Sequence, residues 1–436
     1  MNRTFEVTRK MKDSGVEWIG DIPQDWRMVP LKAILKERKE KNLPIKTTSI
    51  LSLTIDKGVI PYSEKSGGGN KAKEDLTAYK LAYPNDIVLN SMNVIAGAVG
   101  LSKYFGAISP VYYTLYTDED KNDIRYFNNI FQTQAFQKSL LGLGNGIMIK
   151  ESNSGKLNTI RLRIPMEKLK SIMLPVPLFH EQQAIATYLD EQVEKIDSLI
   201  SEQKQAIENW KWYKQSLMTE TVTKGLNPDV EMKDSGIEWI GEIPKEWELK
   251  KGKYLFKQSM KKGGDHLIQL ASTQAYGVVP QSFLENVVKV SLDTDLSKFK
   301  EVKINDFVIS LRSFQGGFEM AKYNGVITPA YTVFRSTTCI HHNYFKYLFK
   351  APSFISKINS ITVGIREGKD IKYNDFSQMI LPIPPLYEQQ AIADYLDEKC
   401  SKIDQTIEQK QQLIKQLEGY KQSLIYECVT GKRCVL

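Results

Sequence analysis

At 436 residues and 49.8 kDa the chain is long enough for two or three ordinary domains, each with a sizeable core. Its 42% hydrophobic and 25% charged residues and net charge of +8 fit a globular protein, and no apolar run approaches the roughly 20 residues that span a bilayer. The four cysteines (Cys339, Cys400, Cys428, Cys434) lack CxxC spacing and the first residues lack the apolar core of a signal peptide, so a disulfide framework, a zinc knuckle and secretion are not expected and a cytoplasmic setting is.

In chain order, residues 1–27 are charge-neutral and contain MKDSGVEWIG (11–20), followed by Ile22-Pro23 and Trp26. The decapeptide recurs as MKDSGIEWIG (232–241), identical at nine of ten positions and followed by Ile243-Pro244 and Trp247. A second repeat pairs LPVPLFHEQQAIATYLD (174–190) with LPIPPLYEQQAIADYLD (381–397), identical at 12 of 17 positions. The chain therefore reads as two tandem units, Met11–Glu231 and Met232–Leu436. The four repeat tryptophans, Trp18, Trp26, Trp239 and Trp247, are expected in the core rather than stacked on bases.

Residues 28–180 carry net +8 and residues 225–387 net +4. Both blocks contain short apolar runs between Gly, Asn and Pro signals, such as Ile50–Ile55, Val111–Tyr116 and Phe307–Leu311, which predict strands. Arg125–Leu141 and Tyr344–Asn359 predict a closing helix for each block, so each is read as mixed α/β. Traces of similarity persist between them: Asp86-Ile-Val-Leu faces Asp306-Phe-Val-Ile, and Ile108-Ser-Pro faces Ile327-Thr-Pro. Fixed ends around divergent middles suit one frame carrying two different recognition surfaces.

Glu181–Lys224 and Glu388–Glu427 carry net −3 each, contain no proline, and predict long helices. In the first, Leu189, Val193, Ile196, Ile200, Gln203, Ile207, Trp210, Lys214 and Leu217 follow alternating steps of four and three. In the second, Leu396, Cys400, Ile403, Ile407, Lys410, Ile414, Leu417, Lys421 and Leu424 do the same. That 3.5-residue period is a coiled-coil seam, and the two helices are expected to pair with each other. At 1.5 Å per residue, each forms a rod of about 60 Å.

Catalytic signatures are missing. Four histidines are few for acid–base work, and His341-His342 beside Cys339 lack metal-ligand spacing. No phosphate-binding G-x-x-x-x-G-K-[ST] loop occurs, nor the Asn/Asp-Pro-Pro-aromatic loop of amino-methyltransferases. The basic blocks instead hold glycine-containing polar segments, which invite a polyanion. In the first block these supply Lys65, Asn70, Lys71, Asn145, Lys150 and Lys156. In the second they supply Lys261, Lys262, Arg312, Gln315, Arg366 and Lys369. Arg can grip guanine bidentately and Asn or Gln can read adenine, so Asn145, Arg312, Gln315 and Arg366 are the candidate base readers. Each such segment taken singly is equally the mark of a solvated turn.

The duplicated MKDSG-[VI]-EWIG and LP-[VI]-P…EQQAIA-x-YLD segments, with variable blocks between them, resemble the specificity subunit of type I restriction–modification systems over nearly the whole chain. The resemblance implies an N-terminal conserved segment (1–27), a first target-recognition domain (28–173), a central spacer helix (174–226), a linker with the repeated segment (227–247), a second target-recognition domain (248–380) and a C-terminal spacer helix (381–436). It further implies two globular modules separated by two long antiparallel coiled-coil helices, with pseudo-two-fold symmetry. Leu189, Val193, Ile196, Ile200, Ile207 and Leu217 would face Leu396, Ile403, Ile407, Ile414, Leu417 and Leu424 along the seam. The subunit would be non-catalytic, would read a split, asymmetric site in double-stranded DNA, and would recruit two methyltransferase subunits and the restriction subunits. No cofactor is implied for this chain; S-adenosylmethionine would belong to the methyltransferase. A non-catalytic coiled-coil scaffold and a standalone bivalent DNA-binding regulator are the competing expectations.

Overall fold

In a computed structural model the described residues are 9–65, 75–146, 150–151, 157–158, 163–264, 267–274, 276–284, 296–310, 317–361 and 371–435. They form two compact units, residues 1–203 with 412–436, and residues 204–411. The units do not follow the tandem-repeat boundary. Each takes one variable block together with part of each long helix, because each helix half buries its seam within the unit beside it.

The first unit opens with a hairpin, Met11–Asp13 against Asp21–Pro23, then Arg27–Pro30 pairs antiparallel with Met173–Val176 just before the long helix. Its central sheet has four antiparallel strands in the order Lys36–Glu37, Tyr112–Tyr116, Ile87–Asn90 and Val99–Leu101. The short pairs Leu51–Thr54 with Gly58–Pro61, and Lys80–Ala82 with Gly106–Ile108, flank it. The second unit repeats this plan. Its four-stranded sheet runs Phe256–Ser259, Thr332–Ser336, Phe307–Ile309, Phe318–Met320, with Leu270–Thr273/Gly277–Pro280 and Lys300–Val302/Gly325–Ile327 beside it.

Sequence dictates several of these details. Asn85 and Asn305 adopt φ of 66° and 70°, a left-handed turn that asparagine tolerates. Each turn is followed by a buried aspartate whose carboxylate accepts from the backbone three residues earlier: Asp86 from Tyr83 N and Asp306 from Lys303 N, both at 2.9 Å. Arg38 neutralises Asp86 with two hydrogen bonds of 2.8 and 3.0 Å, whereas Asp306 draws Arg335 from the neighbouring strand at 2.8 Å. The same buried charge is thus balanced from two different places in the chain.

The predicted closing helices each split in two. In the first block Ile124–Gln132 and Gln134–Ser139 meet at Thr133, whose extended backbone (ψ 136°) breaks the helix while its Oγ1 accepts from Phe136 N. In the second, His342–Leu348 gives way to Pro352–Ile361, since proline at 352 has no N–H to continue the ladder. The long helices run Phe179–Lys224 and Leu386–Val429, slightly beyond the predicted limits. Gly225 and Gly431, at φ of 78° and 72°, follow their ends. A Cβ on Gly431 would lie 2.3 Å from Pro23, so only glycine lets the chain end fold back there.

Candidate nucleic-acid interface

Each variable module is fastened to a long helix by residues far apart in sequence. In the first unit the fully buried Trp26 donates its indole N–H to Glu181 Oε2 at 3.0 Å. Glu181 stands in the first turn of the helix, where the helix dipole favours a carboxylate. Arg9 also grips Glu181 and donates to Asp25 at 2.7 Å, which holds the Asp25 carboxyl below its usual range. The Tyr126 hydroxyl lies 3.0 Å from the carbonyls of both Pro175 and Val429, and burial pushes its pKa well up, so it remains a donor.

The second unit draws the same frame. Trp247 donates to Glu388 at 2.8 Å, and the Tyr344 hydroxyl lies 3.1 and 2.9 Å from the carbonyls of Pro382 and Val222. Gln182 and Gln389 each donate to a proline carbonyl (Pro177, 3.1 Å; Pro384, 2.8 Å) while accepting from Asp123 N and His341 N. Trp18 and Trp239 pack edge-on against Phe136 and Phe354. All four repeat tryptophans therefore serve packing.

Of the sequence candidates, Asn145 is the most informative. Its backbone exchanges two hydrogen bonds with Arg163, of 3.0 and 3.1 Å, and its Oδ1 accepts from Lys168 Nζ at 3.2 Å. The structure thus joins Asn145 to two cations that sequence reasoning passes over, although the basic run Arg161, Arg163, Lys168, Lys170 is visible there. Lys65 follows the turn Tyr62–Glu64, with its Nζ 5.7 Å from the Tyr62 ring centroid. Lys261 is paired with Glu301 at 3.0 Å; Lys262 is exposed and sits opposite Lys300 in an isolated antiparallel bridge. Lys150 lies in the strand Lys150–Glu151. Its side chain, and Asn70, Lys71, Lys156, Arg312, Gln315, Arg366 and Lys369, lie outside the described residues. Among the described residues no group of three or more His, Cys, Asp or Glu could hold a metal, and no helix is long and apolar enough to cross a membrane.

A sequence model of the family described as "Type I restriction modification DNA specificity domain" matches residues 240–419. Two full-length relatives are similar: the type I restriction enzyme MjaX and MjaVIII specificity subunits of Methanocaldococcus jannaschii, the first of them named as putative. They are 26% identical over 95% of each chain, and 25% identical over 94% of this chain and 93% of the relative. The fold matches a chain from a solved type I restriction–modification system with a TM-score of 0.66 at 12% identity, covering 94% of this chain and 98% of the other. The chain is thus similar to type I specificity subunits over nearly its whole length.

In this chain every named seam position is buried or half-buried. Leu189, Ile196, Ile200 and Ile207, and Leu396, Ile403 and Leu424, are buried; Val193, Leu217, Ile407, Ile414 and Leu417 are half-buried. In the first unit Lys421 Nζ bonds both oxygens of Asp197 at 2.7 Å. In the second, Lys214 Nζ bonds those of Asp404 at 2.7 and 2.6 Å. A lysine recurs in both units as a half-buried clamp: Lys80 donates to Tyr112 O at 2.9 Å and Lys300 to Tyr331 O at 2.6 Å. Burial lowers the pKa of both lysines.

Proposed function

We propose that this chain reads duplex DNA through its two modules, one half-site each, and directs adenine methylation and restriction carried out by partner subunits. The observation that carries the reading is the duplicated frame. Trp26–Glu181 with Tyr126, and Trp247–Glu388 with Tyr344, hold two modules whose surfaces differ. One fixture presenting two different surfaces suits a bipartite, asymmetric target.

In this reading the two long helices pair antiparallel as a coiled coil about a pseudo-two-fold axis, making them a spacer of about 60 Å between the modules. Support comes from the offset of 207 residues that separates Lys214 from Lys421 and Asp197 from Asp404. Such an axis would offer two equivalent surfaces to two methyltransferase subunits. The restriction subunits would join that complex, S-adenosylmethionine would be held by the methyltransferase, and the assembly would act in the cytoplasm. This chain would contribute recognition and no catalytic group.

The deciding experiment is co-expression with the methyltransferase subunit, followed by single-molecule mapping of N6-methyladenine. A split, asymmetric methylated motif that requires both chains is the expected result. A stable complex without methylation would favour a protein scaffold instead.

A further inference from the structure

One charge arrangement in the first unit is not repeated at the equivalent strand positions of the second. Glu37 lies at the edge of the four-stranded sheet with its side chain only 8% exposed. Three lysines from separate elements converge on it: Lys39 Nζ at 3.7 Å, Lys80 Nζ at 4.0 Å and Lys170 Nζ at 3.9 Å. Arg163 adds a fourth positive charge, near enough that it and Lys39 both oppose protonation of Lys80, behind burial as the main cause. Lys170 also meets the exposed Glu167 at 3.4 Å, and Lys168 stands beside Arg163 through Asn145. These residues set five cations against two carboxylates.

Glu37 orients these heads but cannot neutralise them. Its contacts are longer than the roughly 2.7–2.9 Å of a charge-assisted hydrogen bond, so Lys39 and Lys170 keep donors for another acceptor. Crowding like charges costs energy in the free protein, and a polyanion with regularly spaced phosphates recovers it. In the second unit, the strand that pairs with Phe334 and Arg335 places Gln258 where the first has Glu37. Met260 follows two residues on, as Lys39 follows Glu37. Lys300 there repeats the clamp role of Lys80.

We propose that Lys39 and Lys170, held at Glu37 with the clamp Lys80 between them and Arg163, and Arg163 itself, hold backbone phosphates of duplex DNA on the first module. Through the Asn145–Arg163 backbone bridge they set the register of the Asn145 segment against the bases. The proposal rests on the DNA-reading function above and divides labour within it: these cations position, and other residues of the module specify.

The test uses the full chain and a fluorescent 30-base-pair duplex of random sequence, titrated at several salt concentrations. The triple variant Lys39→Gln, Arg163→Gln, Lys170→Gln is expected to bind on the order of tenfold or more weakly at moderate salt. Its slope of log K against log salt should be shallower by about 0.9 for each phosphate that the variant no longer neutralises. Glu37→Gln is expected to bind severalfold tighter with a steeper slope, a gain that misfolding cannot imitate. Co-expressed with the methyltransferase subunit, the triple variant should methylate the same motif less efficiently. An unchanged salt slope in the triple variant, weaker binding by Glu37→Gln, or a changed motif would each overturn the phosphate role. Failure of the unmodified chain to bind any duplex at low salt would instead remove the DNA-reading function beneath it.

Discussion

Lys421 reaches across to Asp197 at 2.7 Å, and the lysine 207 positions earlier, Lys214, makes the same bond to the aspartate 207 positions later, Asp404. Each helix thus supplies one lysine and one aspartate. These pairs are partly exposed, with aspartate side chains 51% and 58% accessible, so their worth is set by solvent screening rather than by contact distance. A double-mutant cycle on Asp197 and Lys421 should return a coupling of about 0.5 kcal/mol that shrinks with added salt. Asp197→Lys alone should lower the thermal midpoint, and Lys421→Asp in the same chain should restore it. Absence of that rescue would mean the pair contributes nothing to helix association.

The Trp26–Glu181 bond is a different kind of interaction. Both groups are buried, and deleting the indole N–H leaves the Glu181 carboxylate with Arg9 as its remaining side-chain donor. Trp26→Phe keeps an aromatic ring but removes the N–H. It should cost about 1–3 kcal/mol, read as a shift in the denaturation midpoint of the first unit. Tyr126→Phe and Tyr344→Phe should each cost about 1 kcal/mol in their own units, because each hydroxyl lies against two carbonyls near the ends of a strand and a helix. Hydrogen exchange resolved by segment separates the two units. Weakened protection in residues 204–411 on mutating Tyr126 would contradict the local character of the frame.

Glu319 gives the second unit a pH dependence. Its carboxylate is almost wholly buried beside Lys350, and desolvation outweighs the lysine, raising its pKa to about 7. A carboxyl group whose pKa is higher folded than unfolded favours the native state while protonated. Its contribution is complete below about pH 4.5 and is lost as the pH rises through about 7. Other groups being equal, stability of this unit should fall by up to about 3 kcal/mol across that window, and Glu319→Gln should flatten the slope. Denaturation midpoints between pH 5 and 8 check this; an identical slope in the variant would clear Glu319 of the effect.

The repeats are readable in the sequence because whole segments are near-identical, and the 3.5-residue seam because one period persists over forty residues. The splits at Thr133 and Pro352 are within reach of the sequence, since a capping threonine and a proline interrupt each closing helix. Other features require the folded chain. Nothing local couples Trp26 to Glu181, 155 residues on, or brings Lys80 and Lys170 to Glu37. The interleaving of the helix halves with the modules also escapes a linear reading, because tandem copies in sequence need not be the bodies that pack. Lys261 shows the opposite failure: its basic, glycine-rich setting suggests a free cation, and folding places Glu301 against it.

If the paired helices act as a ruler, their length fixes the unspecified gap in the DNA site. Removing four residues from each would shorten a helix by about one turn, 6 Å, but would rotate the remaining seam out of its four-and-three spacing. Removing seven keeps every seam residue in phase and shortens each helix by about 10 Å, close to three base pairs at 3.4 Å each. The deletion must be made in both helices at equivalent positions, for example 198–204 and 405–411, so that the lysine–aspartate pairs still meet. The expected product is a methylated motif with both half-sites unchanged and a gap shorter by about three base pairs, since the modules and their frames are untouched. A single-helix deletion should instead abolish methylation, because the seams would no longer match. A double deletion that methylates the original motif would show that the gap is set elsewhere than by the helices.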